Sequence, residues 1–191
     1  MHTIKACYHL AKPGIIYGNL VVAAAGYIFA NVEPLDISRG LLMLAGLAGV
    51  IACGCVFNNY FDKELDAKME RTKDRSIPAG RVTPKHALIF GSVLLVCGVP
   101  LLYIVHPLAL AAALGGFVVY VFIYTPLKRI TPHTLWVGSL AGATPPVVGY
   151  VAVANTLDYT ALWLFLFLFL WQVPHFLAIA VYRFEEYSHA G

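Results

Sequence analysis

Six predominantly apolar stretches, over 14–30, 40–61, 86–105, 107–125, 133–154 and 159–182, alternate with polar breaks along the chain. Each is close to the length that crosses a hydrocarbon core of about 30 Å as an α-helix. Little more than His106-Pro107 separates the third from the fourth. This predicts a tight helical hairpin, because proline fits the first turn of a helix and breaks an interior. From Ala161 to Trp171 every side chain is apolar. A barrel strand would alternate apolar and polar, whereas a lipid-embedded helix can be apolar all round. The pattern predicts an all-α, polytopic transmembrane bundle with about six spans.

Basic residues test that reading independently, since short cytoplasmic loops keep Lys and Arg and the opposite side loses them. Lys5 and Lys12 precede the first span. Lys63, Lys68, Arg71, Lys73, Arg75, Arg81 and Lys85 lie between the second and third, Lys128 and Arg129 follow the fourth, and Arg183 follows the sixth. Twelve of the 13 basic residues therefore fall on one side, with Arg39 alone on the other. The expected topology has both termini and the long second loop in the cytoplasm. The outer connections, near 31–39, 106 and 155–158, are short and offer little chemistry.

Composition narrows the picture further. With 60% hydrophobic and 12% charged residues, the chain carries about half the usual charge of a globular protein, which excludes an ordinary water-soluble fold, a disordered chain and a disulfide scaffold. A net charge of +3, spread among acids, does not suggest nucleic-acid binding. Cys7, Cys53, Cys55 and Cys97 lack the spacing of a zinc site or a redox pair and read as small core residues. Residues 1–13 contain no signal-peptide core, so insertion is expected to use the first span itself.

Chemistry concentrates where the second span meets the cytoplasm, in Asn58-Asn-Tyr-Phe-Asp62-Lys-Glu-Leu-Asp66 and its continuation to Arg75. On a helix, Asn58, Asp62 and Asp66 recur every four residues and drift only about 40° per step, so three oxygen donors line one face. Mg²⁺ is commonly held by one or two carboxylates together with the phosphates of a substrate, which such an open array suits. Spacing alone fits a solvated helix end equally well, because Lys63, Lys68 and Lys73 alternate with the acids. The apolar run ending at Phe57 favours the functional reading, since ionisable groups at a membrane edge are costly unless they serve a cavity. Arg71, Lys73 and Arg75 add phosphate-binding donors nearby.

The segment Asn58–Asp66, continuing as Met69-Glu-Arg-Thr-Lys-Asp-Arg75, resembles the first diphosphate motif of the UbiA-like intramembrane prenyltransferases, and of their heme-farnesylating branch in particular. Lys12-Pro-Gly-Ile-Ile-Tyr-Gly-Asn19 resembles that family's first-helix entry and Gly54-Cys-Val-Phe-Asn-Asn59 its second helix. Gly138-Ser-Leu-Ala-Gly-Ala-Thr-Pro-Pro-Val-Val-Gly149 resembles the fifth, and Leu170-Trp-Gln-Val-Pro-His-Phe-Leu-Ala-Ile-Ala180 the sixth. The likeness runs in order through residues 1–191 as a single domain. The family usually has nine spans, so the resemblance implies that about three C-terminal helices are missing from this chain.

The resemblance implies Mg²⁺ on Asn58, Asp62 and Asp66, and Arg71 and Arg75 on the oxygens of an allylic diphosphate. Tyr124-Thr-Pro-Leu-Lys128 matches the Tyr-x-x-x-Lys element placed near the departing diphosphate, which assigns roles to Tyr124 and Lys128. The implied reaction moves farnesyl from farnesyl diphosphate to a vinyl group of heme b, giving heme O. Heme b is then substrate rather than cofactor. The second acidic element appears as Arg183-Phe-Glu185-Glu186, departing from the Asp-x-x-x-Asp of benzoate-prenylating relatives; Glu186 is the preferred candidate. In Arg75-Ser-Ile-Pro78 the proline comes later than in relatives, which loosens the Arg75 assignment. His175 reads as an axial ligand for heme iron or as a histidine hydrogen-bonded between helices. The implied setting is a bacterial inner membrane with the site on its cytoplasmic side, among heme-handling or terminal oxidase assembly partners. Two other readings remain: prenylation of an aromatic acid or quinone precursor, and a small transporter with polar groups deep in several spans.

Overall fold

Prolines mark where the helices begin. In the computed structural model, which describes residues 2–30, 34–131 and 133–182, every regular element is helical. A short α1 (His2–Leu10) leads into α2 (Pro13–Ala30), followed by α3 (Ile37–Asp66), α4 (Pro84–Val105) and α5 (Pro107–Val118). A π-helical turn (Val119–Tyr124) carries α5 into α6 (Thr125–Leu127); α7 (Thr134–Gly142), α8 (Thr144–Ala154) and α9 (Tyr159–Tyr182) complete the order. Pro84 and Pro107 occupy first turns, where their missing N–H costs nothing. The Thr83 hydroxyl accepts from His86 N at 3.2 Å, and His106 Nδ1 accepts from Leu108 N at 3.2 Å within the hairpin anticipated from sequence.

Six helical segments are long and apolar enough to cross a membrane, matching the six stretches read from the sequence: Pro13–Ala30, Ile37–Asp66, Pro84–Val105, Pro107–Leu127, Thr134–Ala154 and Tyr159–Ile179. The second is longer than the apolar pattern suggested, because the helix continues through the acidic motif to Asp66. The fifth is interrupted at Ala143, directly before α8, whose first turn carries the Pro145-Pro146 pair. α3 lies at the centre, packed against α2, α4, α5 and α8. α4 approaches it so closely that a Cβ on Gly98 would lie 2.7 Å from the Gly46 carbonyl oxygen. α2 and α8 meet the same way, with Gly149 against the Ala23 carbonyl. Lipid tails are as apolar as leucine, so helix association in a bilayer relies on such backbone contact.

Two features were not anticipated. Residues 2–10 form a helix whose Ala6 and Leu10 are buried with Val56, Ile77, Val82 and Ala87. The connection between α3 and α4 is not a solvated linker either. Ser76 Oγ donates to Ala6 O at 2.9 Å and Thr72 Oγ1 to Asp66 O at 3.0 Å, fastening that segment across the end of α3. The opposite end of the bundle holds Arg39, which donates to Val105 O at 2.9 Å and Asn155 Oδ1 at 3.1 Å.

Candidate functional site: a cation-lined cradle at the end of α3

Because α3 stays helical to Asp66, the four-residue spacing turns Asn58, Asp62 and Asp66 into the bundle. They are only 2%, 1% and 4% exposed. Burying two carboxylates without partners would cost several kcal/mol per ion. Each donor instead meets cations brought by a different segment. Lys12, between α1 and α2, donates its Nζ to Asn58 Oδ1 at 2.7 Å. Lys128, after α6, pairs with Asp62 Oδ2, and Arg129 Nη2 stands 3.5 Å from Asp62 Oδ1. Arg75 donates one Nη to both Asp66 oxygens, at 2.9 and 2.7 Å.

Lys12 is held under unusual conditions. Its backbone adopts φ 54°, a left-handed conformation that costs a side-chain-bearing residue about 1–2 kcal/mol and that turns the chain from α1 into Pro13. Burial lowers its pKa from the ordinary lysine value to about 8, and the nearby Arg75 and Lys128 charges push the same way.

Behind the donors lies a layer that fixes them. Asn58 Nδ2 donates to Thr125 Oγ1 at 3.0 Å, and Thr125 Oγ1 donates to Tyr120 O at 2.8 Å. Tyr120 and Tyr124, one widened turn apart, stack with centroids 5.5 Å apart. Gly138 leaves room for the Tyr124 ring, which a Cβ would approach to 3.1 Å. Lys128 Nζ stands 5.9 Å from the Tyr124 centroid. Lys12 and Arg75 also line a cavity of about 680 Å³, together with Lys5, His9, Asn59 and Arg81. Asn59 donates to Leu10 O at 2.8 Å, and its own side-chain oxygen is buried without a partner.

The structure thus brings together Asn58, Asp62, Asp66, Arg75, Tyr124 and Lys128. Arg71 is exposed on the segment between α3 and α4. His175 lies on the exposed side of α9, stacked on Trp171 at 5.0 Å, and is outside the cradle. Glu185 and Glu186 lie outside the described residues. Sequence reasoning missed Lys12, Thr125 and Arg129 as members of the site. Arg129 was visible only as a positive-inside charge, and Lys12 as another and as the first residue of the segment resembling the family's first-helix entry.

The donor set is two carboxylates and an amide, all hard oxygen ligands. Among the described residues no three His, Cys, Asp or Glu side chains converge, so the protein alone does not build a closed metal cage. That suits Mg²⁺, which usually completes its shell with water and substrate phosphate.

The sequence profile of the UbiA prenyltransferase family matches residues 19–191. The chain is 46% identical over 190 residues to a protoheme IX farnesyltransferase of Sodalis glossinidius (strain morsitans), covering 98% of this chain and 64% of the relative. It is 46% identical over 191 residues to protoheme IX farnesyltransferase 2 of Pseudomonas fluorescens (strain Pf0-1), covering 99% of this chain and 65% of that one. The chain therefore spans 64–65% of the length of these relatives. A solved structure of digeranylgeranylglyceryl phosphate synthase in membranes superimposes with a TM-score of 0.82 at 22% identity, over all of this chain and 66% of that one. A UbiA homolog from Archaeoglobus fulgidus bound to GPP and Mg²⁺ gives 0.76 at 16% identity, over 97% of this chain and 66% of the other. Both share the fold. The profile covers nine-tenths of a multi-pass membrane chain, which belongs to the UbiA prenyltransferase family.

Proposed function

We propose that this protein transfers farnesyl from farnesyl diphosphate to a vinyl group of heme b, forming heme O. The observation that carries the reading is the cradle: three buried oxygen donors on one face of α3, each met by cations from another part of the chain. Similarity to protoheme IX farnesyltransferases over nearly the whole chain supports the choice of prenyl donor and acceptor. The GPP and Mg²⁺ bound to the Archaeoglobus homolog support the metal.

The contacts describe a resting state in which Lys128 and Arg75 neutralise the Asp62 and Asp66 carboxylates and Lys12 donates to the Asn58 amide oxygen. An entering diphosphate offers these cations a stronger anion, and Arg75 in particular can exchange a carboxylate for a phosphate fork. Asn58, Asp62 and Asp66 would hold Mg²⁺, which supplies positive charge against the diphosphate oxygens when bound. Lys12, Arg71, Arg75 and Lys128 would then hold the diphosphate while its bond to the allylic carbon breaks and the electron pair leaves with oxygen. Fixed cations favour that transition state over the ground state, because charge on the departing group grows. The stacked Tyr120 and Tyr124 rings lie beside the cradle and offer π faces to an allylic cation. The vinyl group supplies the electrons for the new carbon–carbon bond. Water captures the resulting cation and releases a proton. On this reading His175 contacts the heme iron and Glu186 assists at the diphosphate.

The site is assigned to the cytoplasmic face of a bacterial inner membrane. Lys12, Arg75, Lys128 and Arg129, from three separate connections, gather at one end, and Arg39 lies at the other. The test incubates membranes carrying the protein with Mg²⁺, labelled farnesyl diphosphate and either heme b or 4-hydroxybenzoate. A heme product heavier by one farnesyl group and one hydroxyl is expected. Label on 4-hydroxybenzoate alone overturns the acceptor, and label on neither overturns the transferase.

A further inference from the structure

We propose that Thr125 is a positioning residue that holds the Asn58 amide with its oxygen, not its nitrogen, presented to the cation side of the cradle. The proposal rests on the reading of Asn58 as a Mg²⁺ ligand.

An asparagine amide has two ends of opposite chemistry: an acceptor oxygen and a donor NH₂. Rotation by half a turn would exchange them, and only the oxygen can ligate a cation. Asn58 is 2% exposed and Thr125 1%, so bulk water does not compete for either. Tyr120 O accepts twice, from the Thr125 hydroxyl at 2.8 Å and from the Thr125 backbone N–H. The hydroxyl hydrogen is thereby committed. Thr125 Oγ1 can only accept, and the group it accepts from is Asn58 Nδ2 at 3.0 Å. Asn58 Oδ1 is left on the other side, where Lys12 Nζ meets it at 2.7 Å.

Serine and threonine often bond back to a preceding carbonyl in membrane helices, and that habit alone would carry nothing. Here the bond runs to the first residue of a five-residue step. The widened turn Val119–Tyr124 gives Tyr120 O two hydrogens from one residue and brings the hydroxyl to Asn58 on α3. π-Helical turns within α-helices are frequent at functional sites. Partners behind metal ligands commonly set the ligand's orientation, and their loss lowers metal affinity about 10–100-fold.

The test compares Thr125→Val, which keeps the shape and loses the hydroxyl, with Thr125→Ser, which keeps it. Both are also placed in an Asn58→Asp background, where two equivalent oxygens make orientation irrelevant. The probe is Mn²⁺, titrated into the purified protein and followed by electron paramagnetic resonance, with the unreactive thiolo analogue of farnesyl diphosphate present. T125V should weaken Mn²⁺ binding about 10-fold or more. T125S should bind as the parent does, and T125V should cost nothing further beside N58D. Equal Mn²⁺ affinity in T125V and parent, or an equal loss in both backgrounds, overturns the proposal. If T125V does not fold, Thr125→Ala against T125S decides the same question. A parent that binds no Mn²⁺ overturns this inference together with the metal cradle. A parent that binds Mn²⁺ but makes no prenylated heme overturns the proposed reaction alone.

Discussion

α3 and α9 are both long and apolar enough to cross a membrane, yet just over half of the most apolar stretch of α3 is buried and none of that of α9 is. Hydropathy sorts residues between water and everything else. It does not separate protein interior from lipid, since apolar surface gains nothing by moving from one to the other. Two other features separate these helices. α3 has Gly40, Gly46, Gly49 and Gly54 where neighbours approach, and it ends in buried polar groups that those neighbours satisfy. α9 contains no glycine and exposes Trp163, Phe167, Leu170 and Trp171. Between these two helices, close-packed glycines and buried polar groups mark the interior one, and exposed aromatic and leucine side chains mark the outer one.

The sharpest way to break the comparison is to remove charge from the α3 end. Asp62→Asn keeps the shape, frees Lys128 and Arg129 from their partner and removes an oxygen donor. Loss of such preorganised charge typically costs about 100- to 1,000-fold in rate, so product heme should fall by that order in a mass-spectrometric assay. Trp163→Ala on α9 should leave the rate near the parent's. A comparable loss from both would mean that the two helices serve one site.

A second contrast concerns packing. Gly149→Val places methyl groups where the Ala23 carbonyl already sits, whereas Leu170→Ala trims a side chain that is 62% exposed. Overpacking costs about 1–3 kcal/mol and should lower the melting temperature in detergent by several degrees. Leu170→Ala should leave it nearly unchanged. Equal shifts would place α9 inside a packed interface.

What the sequence showed, and what it hid, follows the same division. The spans, the hairpin at His106 and the shared face of Asn58, Asp62 and Asp66 arise from local periodicity, which a pattern of residues records directly. Arg75 was legible for a related reason, since it lies nine residues from the carboxylate it meets. Lys12 and Thr125 reach Asn58 across 46 and 67 residues, and contacts of that range leave no periodic trace. The π-helical turn has no composition of its own, so nothing in Val119–Tyr124 announced that the helix would widen there. α1 was hidden because residues 1–13 mix polar and apolar positions over too short a length.

A pH series would sharpen the charge side of the comparison. Lys12 has its pKa lowered from 10.5 to about 8 by burial, so it is charged below that value and loses its proton as pH rises through it. Affinity for the diphosphate should therefore fall above pH 8, by up to about tenfold per pH unit while bound substrate holds Lys12 protonated. Lys12→Arg stays charged throughout and should flatten that limb of the KM profile. A profile unchanged by the substitution would assign the titration to another group.

The smallest expected effect belongs to His175. Its ring stacks on Trp171 at 5.0 Å, an arrangement that occupies one face and leaves the ring's edge, with the single in-plane lone pair of a neutral imidazole, directed away from the indole face. As a heme contact outside the cradle, His175→Ala should raise KM for heme b a few-fold and shift the Soret band of bound heme. KM for farnesyl diphosphate and Mn²⁺ affinity should stay where they were, because the cations that meet Asn58, Asp62 and Asp66 come from Lys12, Arg75, Lys128 and Arg129 rather than from α9. A change in diphosphate handling would join α9 to the chemistry of α3 and erase the contrast between the two helices. An unchanged heme KM with an unchanged Soret band would leave His175 as one more side chain facing lipid.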